Sequence, residues 1–234
     1  MSQDFRKITY KEAYSLVSEF HYLGKTRFIG QFCFGYLDDN QLQAAVVYSP
    51  LSVPETPVGA FGLSRGHYDY LVEMSRMVMH PDLNGKNLGS QLIAFSLREL
   101  KKVGIKAVIT YADSSRHVGA VYQAANFTYY GLSAAKKDFY LENGEKVTRG
   151  KVKGLKGQWR DRPQKHRYVY VLDKSLKVIW QQQPYPKTNR SAVPQPFRTI
   201  PRNTTDTTDQ TVPPFPLFRG ERGTVERSPL RHSL

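Results

Sequence analysis

The stretch Tyr70–Ile93, YLVEMSRMVMHPDLNGKNLGSQLI, decides how this chain is read. Tyr70 to Met79 are bulky and apolar enough for a strand, and Pro81 ends the ladder because proline has no N–H to give. From Leu88 the apolar period changes. Leu88, Leu92, Ile93, Leu97 and Leu100 fall on one face of a helix, which Lys101, Lys102 and Gly104 close. Between strand and helix runs Asn84-Gly85-Lys86-Asn87-Leu88-Gly89-Ser90. Small residues at Gly85 and Gly89 let a ligand approach the backbone, while the N–H groups and dipole of the helix start favour an anion. The unit fits a pyrophosphate; the same loop also serves as an ordinary turn.

Outward from this unit, strands and helices alternate. Lys11 to Phe20 place Ala13, Leu16, Val17 and Phe20 at helical spacing. Phe32 to Leu37 and Gln41 to Tyr48 read as a hairpin across the turn Asp38-Asp39-Asn40. Downstream, Ala107 to Tyr111 is a buried strand, and Asp113-Ser114-Ser115 carries N-cap chemistry for a short helix with Val118, Val121, Tyr122 and Ala125 on one side. Arg167 to Leu172 forms the last strand. No internal repeat is visible.

Hydrophobic residues make up 40% of the 234 positions, enough for a packed core. The one cysteine, Cys33, excludes an intramolecular disulfide and suits a reducing compartment, so the cytoplasm is expected. No stretch reaches the roughly 18 apolar residues of a membrane span, and Met1 to Lys7 lack the apolar core of a signal peptide. The net charge of +14 favours a polyanionic partner such as nucleic acid. It is concentrated: Lys136 to Arg167 hold eleven Lys/Arg against four Asp/Glu. Phe139, Tyr140, Trp159 and Tyr168 interleave with these cations, a mixture suited to phosphate contact and base stacking. Lys151, Lys153, Lys156, Trp159 and Arg160 are the expected DNA contacts, and a solvated basic hairpin is the plainer alternative. The expected organisation is a catalytic domain over 1–180, with the basic segment at 136–168, and a disordered basic Pro/Thr-rich tail over 187–234.

The loop at 84–90 resembles the pyrophosphate loop of GNAT acyltransferases, Arg/Gln-Gly-x-Gly-x-Gly/Ala, with Asn84 and Asn87 departing at the first and fourth positions. Asparagine tolerates the left-handed conformation that glycine supplies. Tyr122-Gln123-Ala124-Ala125-Asn126-Phe127 resembles that superfamily's Tyr-x-x-x-Gly-Phe, with Asn126 in place of a glycine at a helix C-terminus. More specifically, Tyr111-Ala112-Asp113-Ser114, Arg116-His117-Val118-Gly119, the Tyr122–Phe127 run and Tyr130-Gly131 are similar to the pattern of the Mom family of phage DNA adenine modification proteins. His21-Tyr22-Leu23, Glu73-Met74-Ser75-Arg76, Asn87 and Ser90 also match, so the resemblance covers roughly 10–135.

The resemblance implies an α/β (α+β) GNAT-type fold, with a central mixed, mostly antiparallel sheet flanked by helices. It implies acetyl-CoA as cofactor, held by the backbone of Met77, Val78 and Met79 and by Gly85, Lys86, Asn87, Leu88, Gly89 and Ser90. It makes His21, Arg76, Asp113 and Tyr122 the catalytic candidates, Tyr122 as the donor of a proton to a departing thiolate. The implied product is N6-carbamoylmethyl adenine in double-stranded phage DNA, which shields that DNA from host restriction endonucleases. Iron is associated with the family, but the sequence assigns no metal, because His21, Asp113 and His117 lie far apart along the chain. Each candidate has a structural alternative: Asp113 as an N-cap, Arg76 in an ion pair, His21 as a capping or packing residue, Tyr122 as a core aromatic. An N-acetyltransferase for a protein or small amine, and a noncatalytic nucleic-acid-binding module, are the competing functions.

Overall fold

The computed structural model describes residues 3–187, apart from 23, 25 and 84–86. The tail expectation beyond 187, together with Gly85 and Lys86, lies outside the described residues. Strand β1 (Gln3–Lys7) leads to helix α1 (Tyr10–Phe20), whose start is fixed by a capping box. Glu12 N–H donates to Thr9 Oγ1 at 3.2 Å, and the Glu12 carboxylate takes the Thr9 N–H at 2.7 Å. Strands β2 (Phe32–Asp38) and β3 (Gln41–Pro50) form the expected hairpin. Asp39 and Asn40 both take positive φ, 46° and 62°, as a two-residue hairpin turn requires. Helix α2 (Thr56–Phe61), strand β4 (Leu71–Met79), helix α3 (Leu88–Lys102), strand β5 (Ala107–Asp113), helix α4 (Ala120–Ala124) and strand β6 (Thr128–Leu132) follow. A separate antiparallel sheet of β7 (Lys136–Leu141), β8 (Lys146–Val147) and β9 (Gly157–Arg162) intervenes before β10 (Lys165–Val171).

The large sheet runs β1-β2-β3-β4-β5-β10-β6 and is antiparallel throughout except for the parallel pair β4–β5. Alternation along the strands sends Ala44, Val46, Tyr48, Val72, Met74, Val108 and Ala112 to one face, where α3 and α4 complete the main core. Ala45, Val47 and Val78 face α1, while Leu71, Ala107 and Ile109 face α2 on the same side of the sheet. Several segments differ from the sequence reading, among them β6 to β9, which it does not mark as strands. Strand β1 and helix α2 go unread there because one is polar and the other short and split by Pro57 and Gly59. Strand β5 runs two residues past Tyr111 because β10 carries its ladder on to the Lys165–Asp113 pair.

The short helix also differs. Its start is Gly119, with φ 76° and no side-chain cap, rather than Asp113. A Cβ at Gly119 would lie 2.9 Å from the rings of both Tyr122 and Tyr168, so this left-handed turn has no room for a side chain. The Tyr168 hydroxyl donates to the Val118 carbonyl and Gln123 Nε2 donates to the Tyr168 hydroxyl at 3.0 Å, which fixes the turn from below. Asp113 caps a tighter structure: its Oδ1 accepts from Ser115 N–H at 3.0 Å and from Ser115 Oγ at 2.6 Å.

Candidate active site

The parallel pair β4–β5 holds only from Leu71/Ala107 to Met74/Thr110. Past that point β4 continues with β3 to Met79, while β5 continues with β10 to Asp113. The two strands therefore splay, leaving the β5-facing edge of Met77, Val78 and Met79 without a strand partner. A bulge helps cause this: between the pairs Val47/Arg76 and Tyr48/Met74 the register shifts, and Ser75 is the extra residue. Ser75 is tied down by Ser49 Oγ at 2.5 Å. The bulge resets the alternation, so that Arg76 and Val78 face α1.

On the α3–α4 face, Tyr122 is buried beside the point of divergence, with Thr110 acting on its hydroxyl. Thr110 in turn donates to the Met74 carbonyl at 3.1 Å, across the last paired rung. Burial raises the Tyr122 phenol, the nearby Tyr22 and Glu73 raise it further, and the Thr110 hydrogen bond opposes them. The group is therefore a held proton.

On the opposite face the cationic side chains gather. Arg76 donates from Nη1 to the Ser75 carbonyl at 2.7 Å and lies 5.5 Å from the Phe28 ring centroid, while its buried Nε finds no hydrogen-bond partner among the described residues. The ion pair that a mid-strand arginine suggests is not formed with any of the described residues. Glu73 instead takes the Ser52 N–H at 3.1 Å and hydroxyl at 2.5 Å. His21, the C-cap of α1, stacks on Tyr22 at 4.4 Å, and Arg116 covers Tyr22 at 4.6 Å while sitting 3.9 Å from Asp113 Oδ2. Burial, reinforced by Arg76, His117 and Arg116, pulls the His21 imidazole down to about 4. It is neutral at pH 7.

His21, Arg76, Asp113 and Tyr122 are thus brought to one opening from four elements. Tyr22, Glu73, Thr110, Arg116 and His117 join them without having been singled out by chemistry in the sequence; only the first, second, fourth and fifth sat inside matched motifs. Among the described residues no group of three His, Cys, Asp or Glu gathers that could hold a metal ion. The described residues do not fit the iron that the resemblance implies.

The start of α3 supplies the other half of the site. Asn87 is left-handed, with φ 54°, and its side chain makes no capping hydrogen bond. Asn126 is left-handed too, with φ 61°, so both asparagines take the conformation expected of the glycines they replace. Gly89 is buried, and a Cβ there would lie 2.9 Å from Met77 Cε and 3.1 Å from Val121. The Ser90 hydroxyl donates to the Asn87 carbonyl at 2.9 Å. From Ser90 a groove of about 980 Å³ runs along Arg98 and Lys101 of α3 to Asn126 and to Lys174. A left-handed Asn87 at the helix start, a closely packed glycine and a strand edge without a strand partner among the described residues fit a pyrophosphate-bearing cofactor. The DNA-contact candidates belong to other elements than those that form this opening. Lys151, Lys153 and Lys156 are exposed in the β8–β9 connection, and Trp159 and Arg160 are on β9.

A mixed sheet with one splayed parallel pair, a tyrosine at its divergence and a helix start beside it is the mixed, mostly antiparallel sheet flanked by helices that the resemblance to GNAT acyltransferases implies. The chain belongs to the Mom protein family, whose model matches residues 3–187. Among solved structures it is similar to the ribosomal-protein-S18-alanine N-acetyltransferase of Escherichia coli, with 11% identity, 74% of this chain and 95% of that one covered, and a TM-score of 0.47. A putative acetyltransferase of Salmonella typhimurium with acetyl-CoA gives 14% identity, 74% and 96% coverage, and 0.47. A Bacillus subtilis acetyltransferase in complex with CoA gives 17%, 72% and 97%, and 0.42. No curated protein matches the chain.

Proposed function

We propose that this chain is an acyl-CoA-dependent transferase that modifies the exocyclic amine of adenine in double-stranded DNA, in the cytoplasm of an infected bacterium. The observation that carries the reading is the splayed β4–β5 opening, with a protonated phenol on one face and a neutral imidazole, an arginine and a carboxylate on the other. Membership of the Mom family supports adenine as the acceptor and carbamoylmethyl as the group added, with protection from restriction as the benefit.

Met77, Val78, Met79, Asn87, Leu88, Gly89 and Ser90 would hold the cofactor, with Gly85 and Lys86 completing the loop. An acyl-CoA supplies a thioester whose carbonyl carbon is open to attack by an amine. Tyr122 holds a proton that can go to a departing sulfur, because its hydroxyl stays un-ionised at neutral pH. His21 can accept a proton from the attacking amine, because Arg76, Arg116 and burial keep it neutral. Asp113, already shared by Ser115 and Arg116, orients the cationic side of the opening. Arg76 presents a buried Nε–H, without a partner among the described residues, to a ligand oxygen. Attack at the thioester carbonyl would leave an N-acyl group; a carbamoylmethyl product bonds N6 to the methylene carbon instead, which requires a nitrogen donor and a two-electron oxidation of that carbon besides the thioester, and the residues of this opening supply neither.

A base inside a duplex cannot reach this opening, so the adenine must be flipped out. Lys151, Lys153, Lys156, Trp159 and Arg160 contribute to holding the duplex in this reading. Among the described residues no helix is long and apolar enough to cross a membrane. The test is to challenge plasmid DNA from cells expressing the chain with a panel of restriction endonucleases. Resistance at adenine-containing sites is expected. Complete digestion together with newly acetylated proteins or amines would instead favour the N-acetyltransferase reading.

A further inference from the structure

Residues 133–164 leave the large sheet after β6 and return to it at β10, and their return point adjoins the candidate site. Lys165 is paired with Asp113 across the β10–β5 ladder, Ser114 N–H donates to the Gln164 carbonyl at 3.1 Å, and the Lys165 ammonium lies 6.0 Å from the Tyr111 ring centroid. The small sheet therefore projects from the same end of the large sheet that carries the opening.

Its two faces differ. Register across β7–β9 pairs Lys136 with Arg162, Asp138 with Arg160, and Tyr140 with Gln158, while β8 sets Lys146 opposite Tyr140. These side chains share one face, and Phe139, Val147 and Trp159 share the other. On the first face a buried Asp138 is gripped by Arg162 through two hydrogen bonds and by Lys146 at 2.7 Å. These bonds hold its carboxyl well below the usual carboxylate range. Arg160 is braced differently, 4.9 Å from the Tyr140 ring centroid. Arg160 and Lys136 have no carboxylate partner among the described residues, and both are exposed. The face carries four cations around a single acid.

We infer that this face of the β7–β8–β9 sheet is a preorganised phosphate-binding surface that holds the backbone of duplex DNA beside the β4–β5 opening. The inference rests on DNA being the acceptor. Asp138 fixes Arg162 and Lys146 in position, and Tyr140 fixes Arg160, so little side-chain freedom remains to be lost when phosphates bind. The lysines of the β8–β9 connection, Lys151, Lys153 and Lys156, have no such bracing on the described residues. They contribute diffuse attraction; the braced face contributes contacts.

Two pairs of substitutions separate the two sources of charge. Affinity of the full-length chain for a fluorescently labelled mixed-sequence duplex, read by anisotropy over a salt series, should show a flatter log–log salt slope for K136Q/R160Q. Loss of two phosphate contacts corresponds to a change of about 1.8 in that slope. K151Q/K153Q removes the same charge and should flatten it by less than half as much. Equal flattening by the two pairs, or none from K136Q/R160Q in a chain that melts like the parent, would overturn the inference. Modified adenine in cells expressing a chain with unchanged duplex affinity would leave the reaction standing while removing this surface from it.

Discussion

Replacing Gly119 by alanine tests how tightly the fold positions Tyr122. Gly119 has φ 76°, where an L-residue costs about 1 to 2 kcal/mol. The new methyl would lie 2.9 Å from Tyr122 Cδ2, 2.9 Å from Tyr168 Cε2 and 3.2 Å from Ala112 Cβ. Both rings are buried and Tyr168 is pinned by its hydrogen bonds to Val118 and Gln123, so neither yields freely. Forcing a methyl into such a site adds about 1 to 3 kcal/mol. Gly104 is the control. Its φ is 84°, but nothing lies within 4 Å of the position a Cβ would take, so Gly104→Ala isolates the backbone cost. Urea unfolding should rank Gly119→Ala below Gly104→Ala by roughly the overpacking term, about 1 to 3 kcal/mol, with unchanged m-values. Equal losses in the two variants would show that the Tyr122–Tyr168 packing is slack, and the argument that this turn sets the tyrosine would fail.

Tyr122→Phe keeps the ring and removes the proton, so turnover should fall by about 10²- to 10⁴-fold with cofactor affinity retained; an unchanged rate of coenzyme A release would remove Tyr122 as the acid. Arg76→Gln removes a positive charge facing His21, so the imidazole should titrate above its value of about 4, though still below an ordinary histidine because burial remains; NMR of the ring nitrogens reads this directly, and an unmoved titration would refute the proximity. Because His21 takes its proton in the unfolded chain near pH 6.5 but only near 4 when folded, stability should decline as pH falls through that window, and His21→Asn should lessen the decline. Asp138→Asn frees Arg162 and Lys146 together, and limited proteolysis should then cut residues 136–162 faster while the large sheet keeps its protection; equal cleavage rates would deny Asp138 its bracing role.

The parts of the fold that show in the sequence are those with one strong period. Helix α3 repeats apolar residues every three or four positions and ends at Gly104, whose N–H reaches the Lys101 carbonyl while Ile105 N–H reaches Leu100. Asn87 and Asn126 could be read as left-handed because few other side chains tolerate that conformation. Strand β9, by contrast, has every residue exposed, so no alternation marks it and only pairing with β7 makes it a strand. Asp113 misled for a physical reason: it does cap backbone N–H groups, but those of a tight turn that precedes the helix. The convergence of His21, Tyr22, Arg76, Arg116 and His117 depends on the bulge at Ser75 and on where the β4–β5 pairing stops. Neither is written in the local pattern, whereas the family motifs hold eight of the nine residues that the opening gathers, all but Thr110.

The most direct test of the account is mass spectrometry of nucleosides from the DNA of cells expressing the chain, alongside Tyr122→Phe and Asp113→Ala variants shown to be folded. The account predicts a heavier deoxyadenosine from the parent chain that disappears in both variants. Only the four ordinary nucleosides from a folded parent, or the heavier species persisting in both variants, would contradict it.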